Sequence, residues 1–316
     1  MISHYHTPIK YGFDPKKPPP VPVLGKGGKF SPSFDNRLWI FHRSWEPDGT
    51  DVDVKATLMI VHGTVDHSGV YDEFAKTLVG AGIAVFAIDM RGWGLSDGES
   101  MFFSDIDTFV ADVEALYKEI HEHTKYATVK SRFLVGKSLG GIVTAFSVAK
   151  HPDYFTGLLG LSGAYELDPK LAPKSFVEVF LKGLNTVAPK IPLKPIFDPK
   201  LIVSDSVALQ EWKDDPLCCK DKIRVAYIVE LVRCCKLLTS EVLHILNIPM
   251  LMVIGTEDHV VTQSGSKRMV DNSLNKDTTF RTYDGGYHNL LAEPKLKVQV
   301  TKDIRDWIMK RCISAS

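Results

Sequence analysis

Short uninterrupted runs of apolar residues recur along this chain, and segments with helical spacing separate them. Clear examples are ATLMIVHG at 56–63, IAVFAIDM at 83–90, RFLVG at 132–136 and IPMLMVIG at 248–255. Runs of this length that end in glycine or polar residues are typical of parallel strands buried on both faces. Since parallel strands need a crossover between them, usually a helix, the alternation predicts a mostly parallel sheet with helices on both faces.

Further strands and helices complete this pattern. RLWIFHRSW at 37–45 alternates apolar and polar residues, which predicts a half-exposed edge strand. FTGLLGLSGA at 155–164 and TTFRTYDG at 278–285 are also predicted strands. Apolar residues at helical spacing mark YDEFAKTLVGAG, DIDTFVADVEALYKEIHEH, GGIVTAFSVAKH and the closing segment VQVTKDIRDWIMKRC.

The alternation of strands and helices stops between Tyr165 and Leu246. That stretch lacks strand-like runs and contains helical segments such as SFVEVFLKGLN and AYIVELVRCCKLL. We therefore predict a helical cap at 165–246, inserted into an α/β core at 29–164 and 247–316. Residues 1–28 are rich in proline and glycine, which predicts an extended lead-in.

Composition narrows the class of ligand. The 316 residues are 44% apolar, enough for a substantial core, and 38 basic residues balance 38 acidic ones. A balanced charge gives no electrostatic footprint for nucleic acid. A small-molecule lipid or acyl-ester ligand fits this balance better.

The cysteines and the apolar segments bear on location. The five cysteines form two adjacent pairs and one single residue, without a C-x-x-C spacing, which predicts reduced thiols and no zinc site. The sequence has no signal-peptide pattern and no apolar stretch near the roughly 18 residues of a membrane span. We expect a cytoplasmic protein that at most lies on a membrane surface.

Two stretches match the catalytic-serine pattern G-x-S-x-G: GLSDG around Ser96 and GKSLG around Ser138. In an α/β hydrolase, the nucleophile lies on a sharp turn between a strand and a helix, which the flanking glycines permit. Ser138 has this context, because RFLV runs into Gly136 and a helical pattern follows directly. Ser96 lies several residues past its strand, so we interpret GLSDG as a glycine-rich surface turn.

A nucleophilic serine needs a base, and the base needs an orienting acid. In this fold the chain order is serine, then acid, then histidine, with the last two in loops after strands. MLMVIGTEDHV delivers Glu257 and Asp258 after one strand, and FRTYDGGYHNLL delivers His288 after the next. We predict the triad Ser138, Asp258 and His288, with Glu257 as the weaker alternative for the acid.

The oxyanion hole needs two backbone N–H donors. In this fold one comes from the residue after the nucleophile, here Leu139, and one from a loop after an early strand. The loop IVHGTVDHSGVY follows such a strand and offers the N–H of Thr64. The resulting acyl-enzyme mechanism involves no metal ion or organic cofactor.

With these residues collected, the chain resembles the serine hydrolases of the group that includes monoacylglycerol lipase. The similar stretches are VHGTVDHSGVYDEFAKTL, AIDMRGWGLSDG, LVGKSLGG, DPLCC, VIGTEDHVV and GGYHNLL. They span most of the chain, and the H-G-x-x-x-H-S-G-x-Y stretch is the most specific of them. The resemblance implies a lipase or esterase that acts on monoacylglycerols or related acyl esters.

The resemblance also implies an apolar helical lid that contacts membrane and admits one acyl chain. Candidate residues for this substrate-binding role in the cap are Phe176, Val177, Phe180, Leu181 and Leu184. The alternative is that these residues pack on the core, as apolar helix faces usually do, and both roles can hold for different residues.

Leu139 stands where the family usually has methionine or a similar residue, a change that we expect to be harmless because only its N–H is used. Two other positions also depart from the family pattern. Lys137 stands beside the nucleophile, where the family usually has histidine, and our hypothesis is that it pairs with Asp66 in the opposite loop. Arg91 begins an R-G-x-G stretch where the family often has G-H-G. We interpret Arg91 as structural, bonding nearby carbonyls.

Other functions remain open at the level of sequence. A lysophospholipase, a thioesterase, another carboxylesterase or a proline-type peptidase would keep the same triad. A ligand-binding protein with the hydrolase fold but without catalysis is an alternative of a different class. Acyl-chain length, head group and oligomeric state are not readable from the sequence.

Overall fold

A computed structural model describes residues 11–47, 54–122, 124–193 and 198–312 of the chain. Eight strands form one sheet in the order β1-β2-β4-β3-β5-β6-β7-β8. The strands are β1 (Gly28–Pro32), β2 (Trp39–Trp45), β3 (Ala56–Val61), β4 (Ile83–Ile88), β5 (Arg132–Lys137), β6 (Gly157–Leu161), β7 (Met250–Gly255) and β8 (Thr278–Tyr283).

The sheet is mostly parallel, as the alternation of strands and helices predicts. From β4 through β3, β5, β6 and β7 to β8, every neighbouring pair is parallel. Only β2 runs against its neighbours, since it pairs antiparallel with both β1 and β4. The prediction of an edge position for β2 is therefore wrong, because the unpredicted strand β1 covers its outer side.

Helices cover both faces of the sheet, as predicted. On one face lie α1 (Asp72–Val79) and α8 (Lys297–Met309), whose apolar residues pack in one cluster with alternate residues of the strands. On the other face lie α2 (Ile106–His121), α3 (Leu139–Lys150) and α7 (Gln263–Asp271). In β3, for example, Leu58 and Ile60 belong to the first core cluster and Met59 and Val61 to the second, as the period of two in a strand requires.

Between β6 and β7 the described residues form helices α4 (Ser175–Val187), α5 (Ser206–Asp214) and α6 (Val225–Ser240). Helix α6 buries Tyr227, Ile228 and Leu231 in the same core cluster as Leu139 and Ile142 of α3. The helical stretch therefore lies over the carboxyl end of β5, where α3 begins. Residues 194–197 of the predicted cap lie outside the described part.

The N-terminal stretch is partly packed on the core. Residues 1–10 of the predicted lead-in lie outside the described residues. The ring of Tyr11 packs edge-on against Phe30 with centroids 5.0 Å apart, and Phe13 packs on Trp39 at 5.1 Å. Within the described ranges, the structure contains no helix long and apolar enough to cross a membrane.

Candidate active site

Ser138 lies on the sharp turn that joins β5 to α3. Its backbone has φ 50° and ψ −119°, a strained left-handed conformation for a residue with a side chain. The flanking glycines are required by space: a Cβ on Gly136 would lie 2.2 Å from the Gly140 carbonyl oxygen, and one on Gly140 would lie 2.1 Å from that of Val61. These close approaches explain why G-x-S-x-G occurs at this strand-to-helix turn.

The serine of the second match has a structural role. Ser96 is buried, its hydroxyl donates to the Asp89 carbonyl at 2.6 Å, and it accepts the N–H of Phe41 at 2.8 Å. The hydroxyl thus ties its turn to β2 and β4. Its hydroxyl is therefore engaged with backbone groups, and the interpretation of GLSDG as a surface turn is wrong, because the turn is buried.

The predicted acid and base lie together beyond the carboxyl ends of β7 and β8. Asp258 Oδ2 is 2.8 Å from His288 Nδ1, and both side chains are buried. Asp258 Oδ1 accepts the N–H groups of Val260 and Val261 at 2.9 and 3.1 Å. Burial would raise the pKa of Asp258, but His288 and the two N–H groups outweigh it and hold that pKa below its usual value.

The alternative acid points elsewhere. The side chain of Glu257 is half exposed, and its carboxylate lies 3.7 Å from Nε2 of His259. With Asp258 against Nδ1 of His288, the Nε2 atom is the one that remains for a substrate or a serine hydroxyl. The structure therefore brings Asp258, and not Glu257, to the histidine.

Ser138 and His288 both line one cavity, as a nucleophile and its base must. The wall around the serine also includes Thr64 and Leu139. The remainder is largely apolar and includes Leu167, Leu171, Ile202, Ile223, Ile228 and Leu231. A cavity of this composition suits an apolar chain whose reactive group lies at the polar end.

The loop that carries Thr64 is held by hydrogen bonds to its other backbone groups. His62 donates from Nδ1 to the Gly63 carbonyl at 2.7 Å, while its Nε2 accepts the N–H of Met90 at 3.0 Å. Trp93 Nε1 donates to the Thr64 carbonyl at 2.5 Å. Among the described residues, no hydrogen bond is formed by the N–H of Thr64 or of Leu139.

The sequence model of the family described as serine aminopeptidase, S33, matches residues 52–295. The chain belongs to this family. Its mostly parallel sheet with helices on both faces is the α/β-hydrolase fold that the sequence predicts.

Similar proteins agree with this assignment. Homo sapiens monoglyceride lipase is 31% identical over 278 residues, which cover 88% of this chain and 89% of that protein. Mycolicibacterium smegmatis monoacylglycerol lipase is 26% identical over 85% of this chain and 92% of its own. The structure of Paleococcus ferrophilus monoacylglycerol lipase matches with a TM-score of 0.76 at 25% identity, over 86% of this chain and 99% of that one. The chain is therefore a monoacylglycerol lipase-like serine hydrolase of esters.

This hydrolase has a buried ion pair next to its elbow. Lys137 Nζ lies 2.7 Å from Asp66 Oδ2, and both side chains are almost fully buried. The predicted contact between the two residues is confirmed. Burial would raise the pKa of Asp66, but the Lys137 ammonium more than offsets it, so that pKa lies below its usual value.

The second departure from the family pattern is also structural. Arg91 donates from Nε to Asp112 Oδ2 at 2.7 Å and from Nη2 to Asp112 Oδ1 at 2.9 Å. The expected partners were carbonyl groups, so that detail is wrong. A two-pronged carboxylate contact is stronger and more directional than a carbonyl contact, and it ties the loop after β4 to α2.

The five predicted cap residues do not line the cavity of this hydrolase. Phe176 and Phe180 are 73% and 66% exposed and face solvent. Leu181 is buried, and Val177 and Leu184 pack partly buried against the core cluster that contains Leu139 and Ile142. The prediction that these five residues line the substrate cavity is therefore wrong. One face of α4 packs on the core and the other faces outward, so no side chain of this helix lines the cavity.

Helix α6 supplies cavity residues that the sequence analysis missed. Tyr227, Ile228 and Leu231 line the cavity from this helix. The available signal was the spacing i, i+1, i+4 in AYIVELVRCCKLL, which marks one helix face. The spacing alone does not say which of the two apolar helices, α4 or α6, lies over Ser138.

One group of side chains in the described residues has ligand atoms close enough for a metal ion: His67, Asp215 and Cys218. His67 Nδ1 accepts the N–H of Gly69 at 3.1 Å, so Nε2 carries the proton and donates to Asp215 Oδ2 at 2.9 Å. In this tautomer the histidine offers a metal no free lone pair. We therefore interpret the group as a hydrogen-bonded contact between two loops.

Proposed function

We propose that this hydrolase cleaves monoacylglycerols through an acyl-enzyme formed on Ser138. The observation that carries the proposal is a largely apolar cavity lined by both a strained serine elbow and a histidine, His288, that pairs with the buried Asp258 at 2.8 Å. The relatives named as monoglyceride lipases support the choice of substrate.

In the proposed mechanism, His288 takes the proton of Ser138 through Nε2 while the serine oxygen attacks the ester carbonyl. Asp258 keeps the proton of neutral His288 on Nδ1 and stabilises the imidazolium that forms. The N–H groups of Thr64 and Leu139 bind the oxyanion, each worth about 3 kcal/mol by analogy with other acyl-transfer enzymes. His288 then protonates the leaving glycerol oxygen and activates water for deacylation.

We further propose that 165–246 form a cap whose outer face contacts a lipid surface, inserted in a core of 29–164 and 247–316. The support is an apolar stripe on one face of α4 that is 66–80% exposed: Phe176, Val179, Phe180 and Val187. Exposed apolar stripes with basic neighbours, here Lys174 and Lys182, are typical of helices that lie in a membrane interface. The five free cysteines agree with a reducing compartment such as the cytoplasm.

The catalytic part of the proposal is tested by labelling with a fluorophosphonate. Wild type and Ser96→Ala are expected to label, and Ser138→Ala is expected not to. Equal labelling of Ser138→Ala and wild type would overturn the assignment of the nucleophile. No labelling of any variant would favour a non-catalytic ligand-binding protein.

The substrate is tested by hydrolysis rates across monoacylglycerols of graded chain length, a lysophospholipid, a fatty acyl thioester and a short p-nitrophenyl ester. We expect the highest kcat/KM for a long-chain monoacylglycerol, because the apolar wall of the cavity stabilises the chain. Preference for the lysophospholipid or thioester would redirect the substrate assignment. Turnover of only the short ester would contradict a lipase.

A further inference from the structure

A hydrogen bond connects helix α6 with the loop that carries the proposed oxyanion donor. Thr64 Oγ1 lies 2.5 Å from the Tyr227 hydroxyl oxygen, across 163 positions of sequence. Both residues are buried, at 8% and 1% exposure. A buried hydroxyl without a hydrogen-bond partner lowers the stability of the folded protein. This pair therefore fixes α6 relative to the loop that carries Thr64.

The ring of Tyr227 has little freedom to move. It packs perpendicular to Phe103, with centroids 5.0 Å apart, and at 6.5 Å from the ring of Trp93. Trp93 is the residue that donates to the Thr64 carbonyl. Thr64 is thus held at two points, its carbonyl by Trp93 and its hydroxyl by Tyr227, and its N–H is the backbone group left for a ligand.

We propose that Tyr227 is a positioning residue for the oxyanion hole, holding the Thr64 N–H in its direction toward the reacting carbonyl through the Thr64 hydroxyl. This inference rests on the proposed function, in which Thr64 is an oxyanion donor. An oxyanion donor acts within about 2.7–3.1 Å of the developing charge, so a small displacement of the loop costs transition-state binding. Since α6 belongs to the proposed cap, the cap itself completes the oxyanion hole.

The chemistry of Tyr227 fits a positioning role and not acid–base catalysis. Burial raises the pKa of its phenol well above the usual value, so the hydroxyl stays protonated at neutral pH. Its hydroxyl oxygen is already hydrogen-bonded to Thr64, so the part of Tyr227 that lines the cavity is mainly the apolar ring. Substrate contact is the competing role, because the side chain lines the cavity, and the experiment separates the two.

The variants Tyr227→Phe and Thr64→Val each remove one hydroxyl, and the double variant removes both. Thr64→Ser keeps the hydroxyl. Tyr165→Phe is the matched control, because the Tyr165 hydroxyl is also buried but has no hydrogen-bond partner among the described residues. Near-ultraviolet circular dichroism and Ser138 labelling confirm that each variant is folded.

The readouts are kcat, KM and the affinity for two inhibitors with the same acyl chain. A trifluoromethyl ketone forms an oxyanion with the serine, whereas a monoalkylglycerol ether binds without reacting. We expect Tyr227→Phe and Thr64→Val to lower kcat and ketone affinity about tenfold, the effect of losing one hydrogen bond's worth of transition-state binding. KM and ether affinity stay within about twofold of wild type, and the double variant is no worse than either single variant.

Thr64→Ser is expected to keep at least half of kcat, and Tyr165→Phe is expected to match wild type. A raised KM and weakened ether binding in Tyr227→Phe, with kcat unchanged, would show that the phenol contacts substrate and would overturn the proposal. Effects that multiply in the double variant would overturn it as well. If wild type does not label at Ser138, the proposed function fails; if wild type labels and Tyr227→Phe keeps kcat and ketone affinity, only this inference fails.

Discussion

Lys137→Met tests whether the ion pair beside the elbow is essential to the fold. The substitution keeps the length of the side chain but leaves the Asp66 carboxylate buried without its cation, 2.7 Å from where the ammonium was. Removing one partner of a buried pair costs about 3–5 kcal/mol, most of it the penalty of the unpaired charge. At about 2 °C per kcal/mol for a chain of this size, Tm should fall by about 6–10 °C.

The pH dependence of this loss has a defined sign. The folded-state pKa of Asp66 lies below its unfolded value, so the stability from the ionised carboxylate is present above the unfolded pKa. It is lost as the pH falls through the folded value. The Tm difference between wild type and Lys137→Met should therefore be full at neutral pH and shrink in acid, where Asp66 is protonated in both proteins.

Thermal unfolding by circular dichroism and calorimetry measures this difference, and the double variant Lys137→Met/Asp66→Asn supplies the control. The double variant should recover a large part of the lost Tm, because it buries no net charge. A Tm of Lys137→Met within 2 °C of wild type at neutral pH would refute the argument. The argument would also be refuted if the double variant lost more stability than Lys137→Met and Asp66→Asn lose in sum.

Three further predictions concern the turn, the acid and the cap. Gly140→Ala should abolish soluble expression or labelling, because a Cβ there would lie 2.1 Å from a backbone oxygen. As a control, Gly183→Ala should raise Tm slightly, because the space around Gly183 is open and alanine favours helix. Asp258→Asn should lower kcat by about 10³–10⁴, whereas Glu257→Gln should stay close to wild type, and equal losses would contradict the choice of acid. Phe180→Ser should weaken sedimentation with anionic lipid vesicles and spare hydrolysis of a short soluble ester; unchanged sedimentation would argue against the membrane face.

The parallel sheet could be predicted from the sequence, because its strands are buried on both faces and therefore appear as continuous apolar runs. The outer strand β1 (Gly28–Pro32) could not be predicted in the same way. Its sequence GKFSP contains a glycine and a proline, and its pairing with β2 depends on contacts distant in sequence. Because β1 was not predicted, RLWIFHRSW was predicted to be the edge strand, although β1 lies outside it.

The positions of the site residues could be predicted from the local sequence of their turns, whereas the residues that line the cavity could not. A strand that runs into G-x-S-x-G and then a helix defines Ser138 locally, and loops after strands place Asp258 and His288 at the same end of the sheet. Helices α4 and α6 have no such local rule. Both α4 and α6 carry apolar residues on more than one side, so only tertiary packing decides that Phe180 faces outward and Ile228 faces the cavity.

The contact between Thr64 and Tyr227 also bears on how the site is assembled during folding. The proposed nucleophile Ser138 lies in the first half of the chain, but Tyr227, Asp258 and His288 are all contributed by the second half. Contacts of such long sequence separation form late, after the entropy of closing large loops has been overcome. A chain that has folded only its first half holds a serine with neither a base to activate it nor a complete hole for its oxyanion. In the proposed mechanism, hydrolytic competence therefore arises with the last long-range contacts, and activity would report on the completion of the whole fold.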